Sequence, residues 1–585
     1  MQKELHLRIK SITLVCFIVF TISLAVKSQE LPAGFAPGEE LLMPDYLNNI
    51  KGKGITTPPQ GSVRSMAEWE EVRALVITWR SYQTVLREIV RHAQDECMVL
   101  ITTTDSNQVK TFLTSGGVPL NNVRFLHEPS NSVWIRDYAG NSVYRNDVDS
   151  MILVDWIYNR PRPYDNVMPA AHAAYFNVPL YQTTQHPYDL VHTGGNYMSD
   201  GFGTAFSEML VMDENPGKTE AEVDSIMKWF MGIKRYIKVP NLLYDNINHI
   251  DMHMKLLNEE TLLVGEFPTG ISDGPQIEAN LLYILNNYPS VFGTPYKVVR
   301  IPMPPSPSGH YPGAPFGNAY YRTYTNSVIV NNTVLVPTYY EAYDTTALRI
   351  YREAMPGYNI VGINANQTIS ASGAIHCITH TIGIENPLLI SHQQLNDTYT
   401  AADYEVNARI QHTKGIQSAE VFFRTDTLAP FQSVSMILTD AANHTWSAYL
   451  PGQTTTTKMY YYIKATANNG KIQKRPMPAP AGCFSFNIEP LDAGLNEKYV
   501  HHHIEDIFPN PASAITCIRL FLAAETYGYL SIYNILGQQV ENLHQGHFKK
   551  GGSHYFFDAS RLSSGLYHVV LQTQNSVQVK KVIVR

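Results

Sequence analysis

The sequence predicts a mixed α/β domain followed by two all-β domains. Three observations carry that prediction. From Met66 to about Gly383, apolar runs alternate with amphipathic helical stretches. From about Leu389 onward the helical period fades and period-two alternation takes over. A Pro-Asn-Pro start near Ile507 then opens a third, smaller β unit. At 585 residues the chain is too long for one core, so several domains are expected.

The elements follow in order. Lys3, Arg8 and Lys10 precede the short apolar run Ile12–Val26, and small residues near Ser28 offer a cleavage site, so residues 1–28 read as a signal peptide. The run is short for a membrane span of roughly 20 residues. No later segment is long and apolar enough to cross a membrane. Residues 29–65, rich in Pro, Gly and Asn, read as a loosely packed lead-in or pro-segment. Residues 66–385 form the α/β domain. In it, Ala74–Trp79 and Met98–Thr103 read as buried strands and Gln83–Ala93 as an amphipathic helix. Cys97 opens an apolar run and is expected to be buried. Residues 386–490 read as an immunoglobulin-like β-sandwich on alternation and turn spacing alone. Residues 491–504, with His501–His503, read as a solvated linker rather than a metal site. Residues 505–585 read as a small all-β unit with Gly turns.

Composition narrows the function. Charged residues are 16% of the chain and the net charge is −7. No basic block is present, which argues against nucleic-acid binding. Outside the N-terminal apolar run the cysteines are Cys97, Cys377, Cys483 and Cys517; they are widely spaced and form neither a disulfide framework nor a CxxC metal motif.

Cys377 is the cysteine placed for chemistry. It lies between His376 and His380, just after the turn pair Ser372-Gly373. Polar or cationic surroundings favour a thiolate, the nucleophilic form. Three further segments supply partners. Trp134-Ile-Arg-Asp137-Tyr-Ala-Gly140 places an acid at a strand-to-loop break. His249-Ile-Asp251-Met-His253, read as extended, puts His249 and Asp251 on one face as an acid/base pair. A hairpin around Asn258 supports that strand geometry. Asn326 enters the apolar strand that ends at Val330. Zinc is the rival reading, because His249/His253 and Cys377/His380 have helix-type ligand spacing. Against it, Ile250 stands where His-Glu-x-x-His needs Glu, and an extended chain separates the two histidines. We therefore expect no metal and no organic cofactor.

Taken together and in this order, the Trp-x-Arg-Asp, His-x-Asp, Asn326 and Gly-x-Ile-His-Cys motifs resemble the guanidino-group-modifying superfamily. The resembling branch is that of agmatine deiminases and bacterial peptidylarginine deiminases. Met66-Ala-Glu-Trp69, Gly194-Gly-Asn196 and Asp200-Gly201 also match, and the resemblance spans about Met66–Gly383. It implies a five-fold α/β propeller and hydrolysis of arginine to citrulline through a covalent thiouronium. Asp137 and Asp251 would clamp the guanidinium, Cys377 would attack it, His249 would act as acid and base, and Asn326 would support them. Arg160-Pro-Arg162-Pro163 bears on the substrate. Residues before proline are biased to extended geometry, so Arg160 and Arg162 can grip one anion. This resembles the peptidylarginine subgroup, whose arginines hold the carboxylate of a C-terminal arginine; Trp134 would stack on the substrate. Agmatine and free-arginine deiminases, and an adhesin with a degenerate deiminase domain, are the rivals.

In the last unit, Ile507-Phe-Pro-Asn-Pro511, Asn534-Ile-Leu-Gly537, Ser564-Gly-Leu-Tyr567 and the basic end resemble the C-terminal sorting domain of type IX secretion. That resemblance implies export across the outer membrane, usually with removal of this domain, with the type IX secretion machinery as partner; the deiminase resemblance implies peptide or protein substrates with arginine.

Overall fold

A computed structural model describes residues 30–50, 52–313, 319–398, 400–490, 502–573 and 576–585. The expected signal peptide and most of the expected linker lie outside these residues.

The α/β region is built from five small sheets, four of which repeat one pattern: an antiparallel hairpin, a helix, then a strand parallel to the second hairpin strand. Asn141–Arg145 pairs with Met151–Tyr158, helix Met168–Phe176 crosses, and Leu180–Thr183 returns parallel. The next unit joins Met198–Ser199, Thr204–Glu208 and Arg235–Val239 across helix Glu220–Met231. The third joins Met254–Asn258, Thr261–Glu266 and Lys297–Pro302 across helix Gly274–Asn287. The fourth joins Val328–Val330, Thr333–Thr338 and Asn359–Asn364 across helix Glu341–Ala354.

The remaining sheet draws on both ends of the domain. His380–Gly383 pairs antiparallel with Val72–Thr78, which pairs parallel with Met98–Thr102, and that with Val123–Leu126. Its sequence explains its position. Ala74, Leu75, Val76 and Ile77 are all fully buried, as a strand covered on both faces requires. Helix Gln83–Ala93 turns Val85, Leu86, Ile89, Val90 and Ala93 inward, the spacing of one helical face. Asp105 caps the next helix, Ser106–Ser115, accepting from the Asn107 and Gln108 amides at 3.0 Å. Cys97 is buried at the start of its strand.

Residues 389–488 form two antiparallel sheets, Leu389–His392, Tyr404–Gln411, Thr445–Leu450 and Ile437–Asp440 in one and Ile416–Arg424 with Thr457–Ala467 at the centre of the other, around a shared apolar core. The C-terminal unit is all β, and its first strand, His503–Phe508, begins inside the expected linker.

Two local expectations are corrected. The start of the lead-in is not loosely packed: Ala33 is 1% exposed, and its amide donates to the Ala371 carbonyl at 3.0 Å. The segment from Arg160 to Arg162 does not run on as one extended strand, but turns at Pro161. The Arg162 amide closes back on the Arg160 carbonyl at 2.7 Å, a three-residue turn that the pre-proline bias did not reveal.

Candidate active site

Each of the five sheets contributes the segment just before one strand. Asp137 precedes Asn141–Arg145, Gly195 precedes Met198–Ser199, and His249 and Asp251 precede Met254–Asn258. Asn326 precedes Val328–Val330, and Cys377 precedes His380–Gly383. Equivalent ends of equivalent units thus converge.

Hydrogen bonds between these segments fix the convergence. The Arg136 amide donates to the Cys377 carbonyl at 3.2 Å, and the His376 amide to the Asn326 carbonyl at 3.1 Å. Asn196 Oδ1 accepts from the Ile250 amide at 3.3 Å and the Glu208 amide at 2.7 Å. Thr325 Oγ1 donates to the Asp251 carbonyl at 2.9 Å.

Short helical turns stand at the Asp137 break and within the segment expected to be extended after His249. Asp137 sits in the single turn Ile135–Tyr138. His249 is extended, but Ile250–Met252 forms one 3-10 turn. The reason is tertiary: Asp245 accepts the His249 amide at 3.1 Å and Asn196 the next one, replacing a strand partner. The turn separates the two histidines. His249 faces Asp137, with Nδ1 3.7 Å from Oδ1, whereas His253 faces the buried Glu208 at 3.3 Å. Among the described residues no group of three or more potential ligands is placed to hold a metal.

Cys377 is fully buried. Its Sγ lies 3.3 Å from Asn326 Nδ2. Burial raises the thiol well above its ordinary value, and the Asp251 and Asp137 carboxylates push it further. Asp137 is itself lifted to about 7 by burial and then by Asp251. Burial lowers His249 to about 4. Burial therefore favours a neutral thiol and a neutral imidazole beside the Asp137 and Asp251 carboxylates. Such a site is complementary to a planar cation.

His376 holds one of those carboxylates in place. Its Nδ1 is 2.6 Å from Asp251 Oδ2 and its Nε2 is 2.7 Å from Glu68 Oε2. Glu68 also accepts from Lys255 at 2.6 Å and from the Ile329 amide at 2.9 Å. Burial works against ionised Glu68, but Lys255 and His376 outweigh it and keep its carboxyl well below the usual range. Asp251 Oδ1 is left without a hydrogen-bond partner, so the residue is half held and half open. Glu68 lay within the quoted Met66–Trp69 motif, yet its partnership with His376 and Lys255 has no local signal. Only the common character of the segment, an acid in an apolar run, could have marked it. His380, the other neighbour of the thiol, faces the Gly140 carbonyl at 3.2 Å.

Glycine is required at Gly194 and Gly195. A Cβ at Gly195 would stand 2.3 Å from His249 Nδ1 and 3.0 Å from Asp137 Oδ1. A Cβ at Gly194 would meet the Arg136 carbonyl at 2.0 Å.

The three expected substrate-binding residues border the same region and are buried. Trp134 donates through Nε1 to the Leu31 carbonyl at 2.7 Å. Arg160 donates to the Ala33 carbonyl at 3.3 Å. Arg162 spans both oxygens of Glu39 at 2.8 and 2.9 Å.

A cysteine, a histidine and a pair of carboxylates, all buried, thus converge from separate sheets. Residues 64–382 match the Porphyromonas-type peptidyl-arginine deiminase family, and the chain belongs to it. Members of this family hydrolyse guanidino C–N bonds. Residues 506–585 match the secretion system C-terminal sorting domain, so the chain carries the type IX signal for export to the cell surface. No helix of the described residues is long and apolar enough to cross a membrane. A protein of Marinomonas sp., provisionally named an agmatine deiminase, is 23% identical over 56% of this chain and 96% of its own length. A Vibrio parahaemolyticus protein with the same provisional name is 24% identical over 56% of this chain and 98% of its own. The fold is similar to that in an X-ray structure of another protein so named, with 20% identity, a TM-score of 0.51, and coverage of 57% of this chain and 100% of that one.

Proposed function

We propose that the protein is a secreted peptidylarginine deiminase acting on arginine with a free α-carboxylate, most simply a C-terminal arginine. The observation that supports this reading is that the buried Asp137 and Asp251 lie on converging segments, with the buried Arg160 within electrostatic reach of Asp137 and His249 and Arg162 two residues further on. Asp137 and Asp251 take the two edges of the guanidinium, and Arg160 and Arg162 take the carboxylate. Agmatine has a guanidinium but no carboxylate, so it gives the arginine pair no role.

The chemistry follows from the resting charges. A guanidinium entering between the two carboxylates supplies the positive charge that the Cys377 thiolate lacks in the empty site. The thiol proton passes to neutral His249, and the thiolate attacks the guanidinium carbon. His249 returns the proton to the leaving nitrogen, which departs as ammonia and leaves an amidino thioether. Water then adds to the same carbon as His249 takes its proton. The C–S bond breaks, releasing citrulline and the thiolate. Asn326, bonded to Sγ, orients the nucleophile, and Trp134 lines the substrate's side chain. The water supplies the ureido oxygen, and neither metal nor organic cofactor takes part.

The four repeated units and a fifth sheet that joins the first and last strands of the domain support a closed five-fold propeller over residues 66–385. The two sheets within 386–490 support an immunoglobulin-like domain, and residues 1–28 serve as the signal peptide.

The test is ammonia and citrulline release from four substrates at equal concentration: a peptide ending in arginine, its C-terminal amide, free arginine and agmatine. The free-acid peptide is expected to lead. Leadership by agmatine would overturn the substrate assignment, and undiminished ammonia release in Cys377→Ala would overturn the mechanism.

A further inference from the structure

The N-terminal segment Glu30–Glu39 makes contacts that go beyond packing. It touches the expected substrate residues one after another. The Leu31 carbonyl accepts from Trp134, the Ala33 carbonyl from Arg160, and the Pro32 and Gly34 carbonyls both accept from Arg162 Nη2 at 2.9 Å. Glu39 then places its carboxylate across Arg162 in a two-point bond. The Phe35 ring lies against the Arg160 guanidinium at 4.3 Å. The segment also reaches the elements that bear the catalytic candidates. The Ala33 amide bonds to Ala371, six residues before Cys377, and a Cβ on Gly34 would lie 3.7 Å from Ile247, two residues before His249. Glu30 accepts the Val133 amide at 2.9 Å, beside Trp134. With the segment in place, Cys377, His249, Asp137 and Asp251 all lie at 6% exposure or less.

We propose that residues 30–39 are an autoinhibitory strap that occupies the substrate track as a mimic, with the Glu39 carboxylate in the place of the substrate's α-carboxylate. This rests on the reading of Arg160 and Arg162 given above. Four successive backbone carbonyls take the donors that a bound peptide would otherwise engage. The strap carries no arginine, so nothing in it reaches the thiol to be modified. An enzyme held this way has its apparent affinity reduced by the fraction of molecules that are open. The exposed stretch that follows, around Leu47–Asn49, is where a protease would cut to release it.

The experiment uses the full chain with a site-specific protease sequence inserted after Asn49, compared before and after cutting and removal of the released piece. Two readouts keep this proposal separate from the substrate assignment. The first is alkylation of Cys377 by iodoacetamide, followed by peptide mass spectrometry with buried Cys97 as internal control; it needs no turnover. Removal is expected to speed Cys377 labelling by about tenfold or more without changing Cys97. The second is turnover of the peptide ending in arginine. A synthetic peptide of residues 30–49, added back to the cut enzyme, is expected to raise KM and leave kcat unchanged, and its Glu39→Gln form to act more weakly. In the uncut chain, Glu39→Gln is expected to raise Cys377 labelling toward the cut value. Equal Cys377 labelling before and after removal would overturn the strap, as would inhibition that lowers kcat alone. Faster labelling without turnover of any guanidine would support the strap and overturn the substrate assignment.

Discussion

Cys377, His249 and Asp137 are each displaced from their ordinary titration by burial, and the displacements predict a pH profile. Asp137 must be ionised to receive a cation, and in the empty site it titrates at about 7. His249 is already neutral there, since its proton leaves at about 4. The acid limb of kcat/KM, which reports free-enzyme groups, is therefore expected near 7, with about a tenfold loss per pH unit below it. A limb near 4 would show that Asp137 is not the group that must ionise. His376 makes a second prediction. It positions Asp251 without touching the substrate, so His376→Gln is expected to lower kcat by about 100-fold with folding intact. The conservative change keeps an amide N–H donor in place of the imidazole's two ring nitrogens, and a KM effect alone would contradict the positioning role. Cys377, His249, Asp137, Asp251 and Asn326 could be singled out because residue type and order are local facts, and the fold brings their segments together. The clamp of His376 by Asp251 and Glu68 was not, since a hydrogen bond between distant segments leaves no mark in the spacing of either.

At the scale of elements, strands and helices were legible where their pattern is internal. Ala74–Ile77, Gln83–Ala93 and the hairpin at Asn258 form as their periodicity dictates. The segment after His249 was misread as extended because the side chains of Asp245 and Asn196 satisfy its backbone. The segments at Asp137 and His249 both depend on the turn at Gly194–Asn196. Gly195→Ala would drive a methyl between His249 and Asp137, so we expect about a 100-fold loss of kcat/KM with the melting temperature little changed. Complete unfolding would show that the close approach serves the core instead. Strand Met151–Tyr158 carries a buried acid with a different consequence. Asp155 accepts from Gln182 at 2.8 Å, yet burial raises it to about 8. Its folded value lies above the unfolded one, so its contribution to stability is full below about pH 4 and is lost as pH rises through 8. Asp155→Asn is expected to flatten the fall in unfolding free energy between pH 5 and 9, measured by urea denaturation. An unchanged slope would assign the pH dependence elsewhere.

Across the whole molecule, the central β unit is docked on the α/β domain by ion pairs. Arg475 meets the buried Glu259, Arg409 meets Asp147 at 2.6 Å and Lys471 meets Glu71 at 2.8 Å. Glu259 is 3% exposed on its side chain, so losing its partner strands a charge. Arg475→Ala is expected to cost about 3–5 kcal/mol by thermal and urea unfolding, whereas Arg409→Ala, a half-exposed pair, is expected to cost under about 1 kcal/mol. The order of the domains was legible from the change in period, but their docking was not, because the charges that join them are ordinary in each sequence taken alone. The pairing of His380–Gly383 with Val72–Thr78 has a kinetic consequence. The strand that follows the nucleophile completes a sheet begun at the opposite end of the domain, a contact of very high sequence separation that is slow to form. A chain emerging from the ribosome, or one truncated short of Gly383, lacks the partner strand. It therefore cannot assemble a reactive thiol, however well its earlier units have folded.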